Sequence, residues 1–98
     1  MPAKIVISSK AKNNVRDIRD WYLEQSFNPA DLFIDELISY LKKIAKSPER
    51  FPIMYKQTRQ LRLSIFPYYI LYRYYQNSHK VVIQKVVHAK RNPANKFI

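Results

Sequence analysis

Apolar positions recur every three or four residues through the first half of the chain and every second residue through much of the second half. Ala11, Val15, Ile18 and Tyr22 form one stripe, with Trp21 beside it and Lys12, Arg16, Arg19 and Asp20 largely elsewhere around the axis. The spacing predicts an amphipathic helix after a short β-branched strand, Lys4 to Ser8, with Ser8 or Ser9 as N-cap. Asn28-Pro29 predicts a second helix start, an N-cap followed by proline at the first helical position. Its stripe is Ala30, Phe33, Ile34, Leu37, Ile38, Leu41, Ile44 and Ala45. Acids sit at its N-terminal end and Lys42, Lys43 and Lys46 at its C-terminal end, as the macrodipole favours, before Ser47-Pro48 stops it. From Phe51 the period becomes two. Leu61, Leu63 and Ile65 alternate with Gln60, Arg62 and Ser64, Phe66-Pro67 interrupts, and Tyr68 to Tyr75 and Lys80 to His88 read as strands around an Asn77-Ser78 turn. Helices first and consecutive strands later indicate an α+β fold, an N-terminal strand and two-helix hairpin with the helices on one side of a mainly antiparallel sheet.

Size and composition narrow the classes. Ninety-eight residues, 47% apolar and 26% charged, suit one globular domain over residues 1–98, burying roughly 60 to 65% of its unfolded surface. There is no cysteine and there are only two histidines, so neither a disulfide framework nor a metal cluster is expected. There is also no glycine, which excludes phosphate-cradling glycine loops; no cofactor is expected, and positive φ falls most cheaply to Asn or Asp. Without a leader-like or membrane-length apolar run, a cytoplasmic protein with no membrane partner is the default.

Charge changes the picture most. All seven carboxylates lie in residues 1–49, where eight cations leave a net charge of about +1, whereas residues 50–98 carry ten cations and no acid, completing the +11 of the whole chain. Such a one-sign half attracts polyanions and repels copies of itself. On the strand through Leu61, Leu63 and Ile65, Arg62 points the other way and is expected to be displayed. Tyr69, Leu71, Arg73 and Tyr75 share one face of the next strand, so aromatic and cationic side chains interleave, as a phosphate-holding, base-stacking sheet requires. His88, Lys90 and Arg91 close the last strand. Chemistry here would run on cations, His88, Ser64 and phenols. That restricts it to something like RNA transesterification, with cations stabilising phosphorane charge and a weak base assisting the 2′-hydroxyl.

The motifs Asp17-Ile18-x-x-Trp21-Tyr22, Phe33-x-x-Glu36-Leu37, Leu41-x-x-Ile44 and Ser47-Pro48-Glu49-Arg50-Phe51-Pro52 occur in that order. They are followed by Phe66-Pro67-Tyr68-Tyr69-Ile70-Leu71-Tyr72-Arg73 and His88-Ala89-Lys90-Arg91-Asn92-Pro93. Across nearly its whole length the chain thereby resembles the RelE/ParE superfamily, the toxin halves of type II toxin–antitoxin modules, and most closely its ParE-like plasmid-stabilisation branch. The resemblance implies growth inhibition and a cognate antitoxin with an acidic, partly disordered segment. It also implies one of two targets, DNA gyrase for the ParE-like branch or mRNA in the ribosomal A site for the RelE-like branch. Carried over from the RelE-like site, Arg62 and Arg91 match basic positions. Gln60 stands in place of a lysine, Tyr69 of an arginine and Phe97 of the C-terminal tyrosine, while Arg73 and His88 are candidate substitutes. As a ribonuclease the chain would use Arg62, Arg73, His88 and Arg91. As a gyrase inhibitor it would offer its target or antitoxin Arg59, Arg62, Tyr69, Arg73, Lys90, Arg91 and Phe97. Outside the toxin classes stands a plain nucleic-acid-binding module.

Overall fold

The computed structural model describes residues 1–26 and 28–91, with Arg91 described in its backbone only. The elements are β1 (Lys4–Ile7), α1 (Ser9–Leu23), α2 (Ala30–Lys46), β2 (Ile53–Tyr55), β3 (Thr58–Arg62), β4 (Tyr68–Tyr75), β5 (Lys80–His88) and a 3-10 turn (Ala89–Arg91). One sheet holds all five strands in the order β1-β5-β4-β3-β2, with β1 parallel to β5 and every other pair antiparallel. Both helices lie on one side, and the core between the layers includes Phe33, Leu37, Ile44, Ile70, Tyr72, Val81 and Ile83. Ser8 caps α1 as the sequence indicates, its hydroxyl accepting the Ala11 N–H at 3.1 Å. At α2 the Asn28 side chain accepts the Ala30 N–H at 3.1 Å, while Ile38, assigned to the apolar stripe, is exposed at its border.

Three features depart from the two-residue pattern. First, β2 goes unforeseen because it is a three-residue edge strand with exposed Ile53 and Tyr55. It turns into β3 through Lys56, whose φ is 51°. The other positive φ, 49°, belongs to His79 in the β4–β5 turn. That turn spans 76–79 around the expected Asn77-Ser78, and neither positive φ falls to Asn or Asp. At His79 two hydrogen bonds offset the strain: Nδ1 meets the Tyr74 hydroxyl at 2.8 Å and Nε2 the Met1 carbonyl at 2.7 Å.

Second, β3 ends at Arg62, so the expected run through Ile65 is cut short and Ile65 is 75% exposed. The cause is Glu36. Its carboxylate, buried by the sheet-facing side of α2, accepts from Ser64 Oγ (3.0 Å), the Ile65 N–H (2.8 Å) and the Phe66 N–H (3.1 Å). Those donors leave the ladder to satisfy a buried charge that takes part in no ion pair among the described residues.

Third, β5 carries a bulge. Leu71 pairs with Lys85 but Tyr72 with Ile83, so Gln84 is extra. The Val86 N–H is taken by Asn14 Oδ1 of α1 at 3.1 Å, and the Gln84 carbonyl by the Ser8 hydroxyl at 3.0 Å. The bulge reverses the parity of β5: Val81 and Ile83 face the helices before it, Val86 and His88 after it.

Behind α2, Tyr72 is fully buried and donates to the Pro48 carbonyl at 2.7 Å. Burial pushes its phenol up to about 12, against the pull of the neighbouring Arg59 charge and the Phe51 backbone, so it remains a donor at neutral pH. Replacing it by phenylalanine leaves that carbonyl without its partner. Tyr72→Phe is expected to cost about 1 to 2 kcal/mol in a urea melt with unchanged m.

Candidate cationic sheet face

Pairing settles which side chains share the face opposite the helices. Arg62 of β3 stands opposite Tyr69 of β4 and Val87 of β5; Gln60 stands opposite Leu71 and Lys85; Thr58 opposite Arg73 and Val82; Tyr75 beside Lys80 and Lys4 of β1. Among the described residues no strand places a carboxylate on this face. The acids lie instead on α1, on α2 and in the turns, and the two ion pairs among the described residues, Arg16–Asp17 and Arg19–Asp20, are both on α1. The charge imbalance of the two half-chains has become a difference between two sides of a sheet.

The cations on the open face are braced by rings. The Arg62 guanidinium lies 5.8 Å from the centroid of Tyr69, and that of Arg73 lies 4.6 Å from Tyr75, with Lys80 Nζ 5.4 Å from the same ring. Such contacts hold a guanidinium flat without spending its charge. The expectation that exposed tyrosines are open platforms for bases is therefore altered, because the protein's own cations already lie on these rings. Arg73 divides two clefts. One, of about 450 Å³, is lined by Arg59, Tyr75 and the β4–β5 turn and bordered by Glu49; the other, of about 520 Å³, by Tyr55, Lys56, Thr58 and Gln84. Arg73 Nε and, opposite Leu71, Gln60 Oε1 are buried without a hydrogen-bond partner. Leu71, between them, is 2% exposed.

Two of the sequence-derived candidates stand apart from this group. Arg59 faces the helices, its Nη1 donating to the Glu49 carbonyl (3.1 Å) and the Phe51 carbonyl (2.7 Å), so it fastens the turn after α2 and reaches only the rim of the first cleft. His88 also lies on the helix side, turned there by the bulge. It packs edge-on against Tyr68 at 5.2 Å and lines a small groove with Asn14, Asp17 and Ile18. Its Nδ1 accepts the Lys90 N–H at 3.0 Å, so the neutral ring carries its proton on Nε2 and has no lone pair left for a substrate hydroxyl. Tyr68 offers no substitute, since burial and then its hydrogen bond with Tyr22 push its phenol above the usual range. Ser64 donates to Glu36. Lys90 is exposed beyond β5; the Arg91 side chain and Phe97 lie outside the described residues.

What the sequence reading missed is the tie that Glu36, named there only as part of a motif, makes to the loop after β3, and the unpartnered buried atoms Gln60 Oε1 and Arg73 Nε. Among the described residues no group of His, Cys, Asp and Glu could hold a metal ion, and no helix is long and apolar enough to cross a membrane.

The family model described as the ParE toxin of the type II toxin–antitoxin system, parDE, matches residues 5–93. No curated protein matches the sequence. Among solved structures the fold is similar to a chain of the chromosomal ParDE toxin–antitoxin system from P. aeruginosa. That match has a TM-score of 0.75 and 16% identity, covering 88% of this chain and 95% of that one. It is similar also to a chain of the RelBE2 toxin–antitoxin complex from Mycobacterium tuberculosis, with a TM-score of 0.67 and 18% identity over 90% and 99%. At these identities the likeness is one of fold.

Proposed function

The chain belongs to the ParE toxin family of type II toxin–antitoxin systems, and from that premise we propose that it arrests growth by binding DNA gyrase through the open sheet face. An acidic antitoxin segment, partly disordered when free, would neutralise it by folding over the same face. The observation that carries the target is the separation of His88 from Arg62 and Arg73. The two arginines stand on one side of the sheet, and the histidine, its Nδ1 occupied, stands on the other. A ribonuclease needs a proton acceptor within hydrogen-bond reach of the hydroxyl it activates, beside the groups that bind the phosphate. An inhibitor that acts by occupancy needs only the surface. The same surface suits the antitoxin: its carboxylates would meet the Arg62 and Arg73 charges, and complementary charge would speed the encounter.

This reading makes His88 dispensable. His88→Ala is expected to leave growth arrest within about twofold of the parent chain, since the residue touches none of the open-face cations. The check is induction without antitoxin, with mRNA 5′ ends mapped shortly afterwards. Arrest without new ends in register with the A site agrees with gyrase as target; abundant A-site cuts that vanish in His88→Ala would establish the ribonuclease instead.

A further inference from the structure

The open face presents its positive charge as a track. From the row of Lys4, Lys80 and Tyr75 to the row of Arg62 and Tyr69 the cations span six residue rises of β4, about 20 Å, equal to the axial rise of about six base pairs of duplex. Three further observations bear on what that track holds. No carboxylate of the face neutralises it, whereas both ion pairs among the described residues are confined to α1. The rings that could stack unpaired bases already carry Arg62, Arg73 and Lys80. Leu71, at the centre of the face, is 2% exposed, so what the face offers a partner is charge rather than an apolar hole.

We propose that this face binds the phosphate backbone of duplex DNA directly and without sequence preference, through Lys4, Arg62, Arg73 and Lys80. The inference rests on the open face being the surface presented to gyrase. It adds that the toxin touches the DNA which gyrase holds, so that the antitoxin and DNA exclude one another. Phosphate contacts position a protein on a duplex without reading bases, and each one releases counterion. Four such contacts give a distinctive salt dependence. Stacked guanidinium groups suit the role because a ring contact leaves their charge unneutralised.

The test is fluorescence anisotropy of a labelled 20-base-pair duplex with the full chain freed of antitoxin, titrated from about 50 to 300 mM salt. The parent chain should bind with a slope of log K against log salt of about −3.5, near 0.9 per phosphate contacted. Lys4→Gln, Arg62→Gln and Arg73→Gln should each reduce that slope by about one unit. Arg16→Gln, on α1 and already paired to Asp17, should leave it unchanged. Lys4 is an exposed strand-edge residue, so its variant keeps the test valid if either arginine variant folds poorly. No binding at 50 mM salt, or a slope indifferent to the open-face substitutions, would overturn the proposal. Polyglutamate of equal charge should compete with the duplex, because the antitoxin segment is placed on the same face; duplex binding that polyglutamate leaves undisturbed would overturn the mutual exclusion. Gyrase inhibition by a chain without affinity for naked DNA would sink this inference and leave the gyrase reading standing. DNA affinity with gyrase untouched would do the reverse.

Discussion

Glu36→Ala is expected to destabilise the fold by about 3 kcal/mol, a fall in Tm on the order of 15 °C for a domain of this size. The substitution removes the acceptor of the Ser64 hydroxyl and of the Ile65 and Phe66 N–H groups in one step. The Phe66 N–H is buried and has no other partner to turn to. A buried donor left unpaired costs about 1 to 3 kcal/mol, and the part-buried Ile65 N–H beside it loses its partner as well. The damage spreads, because the loop 63–67 sets Phe66 against Phe33 and Tyr22 at 5.6 and 5.3 Å and delivers the chain to β4. Glu36→Gln keeps an acceptor oxygen but turns an amide donor toward a donor. It should therefore fall between the parent and the alanine variant. Equal melts for all three would mean that solvent replaces the carboxylate and that the loop does not depend on it.

The second large effect concerns activity. Arg62→Glu combined with Arg73→Glu changes the open face by four charges while leaving the core untouched, since the two side chains lean on Tyr69 and Tyr75. Growth arrest should be abolished and affinity for an acidic antitoxin segment reduced on the order of 100-fold or more, within the range measured for close charge pairs across interfaces. Thermal stability should fall by no more than about 2 kcal/mol, since Arg62 is exposed and Arg73 half-buried outside the core. Full toxicity in the double variant would remove the open face from the mechanism.

The helices were legible because their apolar stripes run uninterrupted at helical spacing and their ends carry recognisable stops. The antiparallel pair β4 and β5 was legible for the same kind of reason, from strand-forming residues on both sides of a short polar turn. The arrangement of strands around them was less so. β2 is too short and too exposed to show a period, and the strand through Leu61 ends early because a carboxylate 26 residues before Arg62 captures the next N–H groups, which no local pattern records. The face of each candidate depended on parity. Arg62 and Arg73 could be placed by counting, because β3 and β4 pair without interruption from Thr58 to Arg62. His88 could not, since one extra residue at Gln84 turns the end of β5 over. Arg59 was read with its cationic neighbours although it sits between Thr58 and Gln60 on the opposite side. Its tie to the Glu49 and Phe51 carbonyls is a tertiary bond invisible in spacing.

A carboxylate-free sheet face that acts on gyrase by occupancy, and cleaves no RNA, should block supercoiling directly. Its most direct test is a supercoiling assay with purified gyrase, relaxed plasmid and the full chain freed of antitoxin, run beside the double-glutamate variant. Supercoiling should be lost in a dose-dependent way with the parent chain, not at all with Arg62→Glu/Arg73→Glu, and should recover on adding antitoxin. Undisturbed supercoiling at toxin concentrations that cut mRNA on translating ribosomes would contradict it.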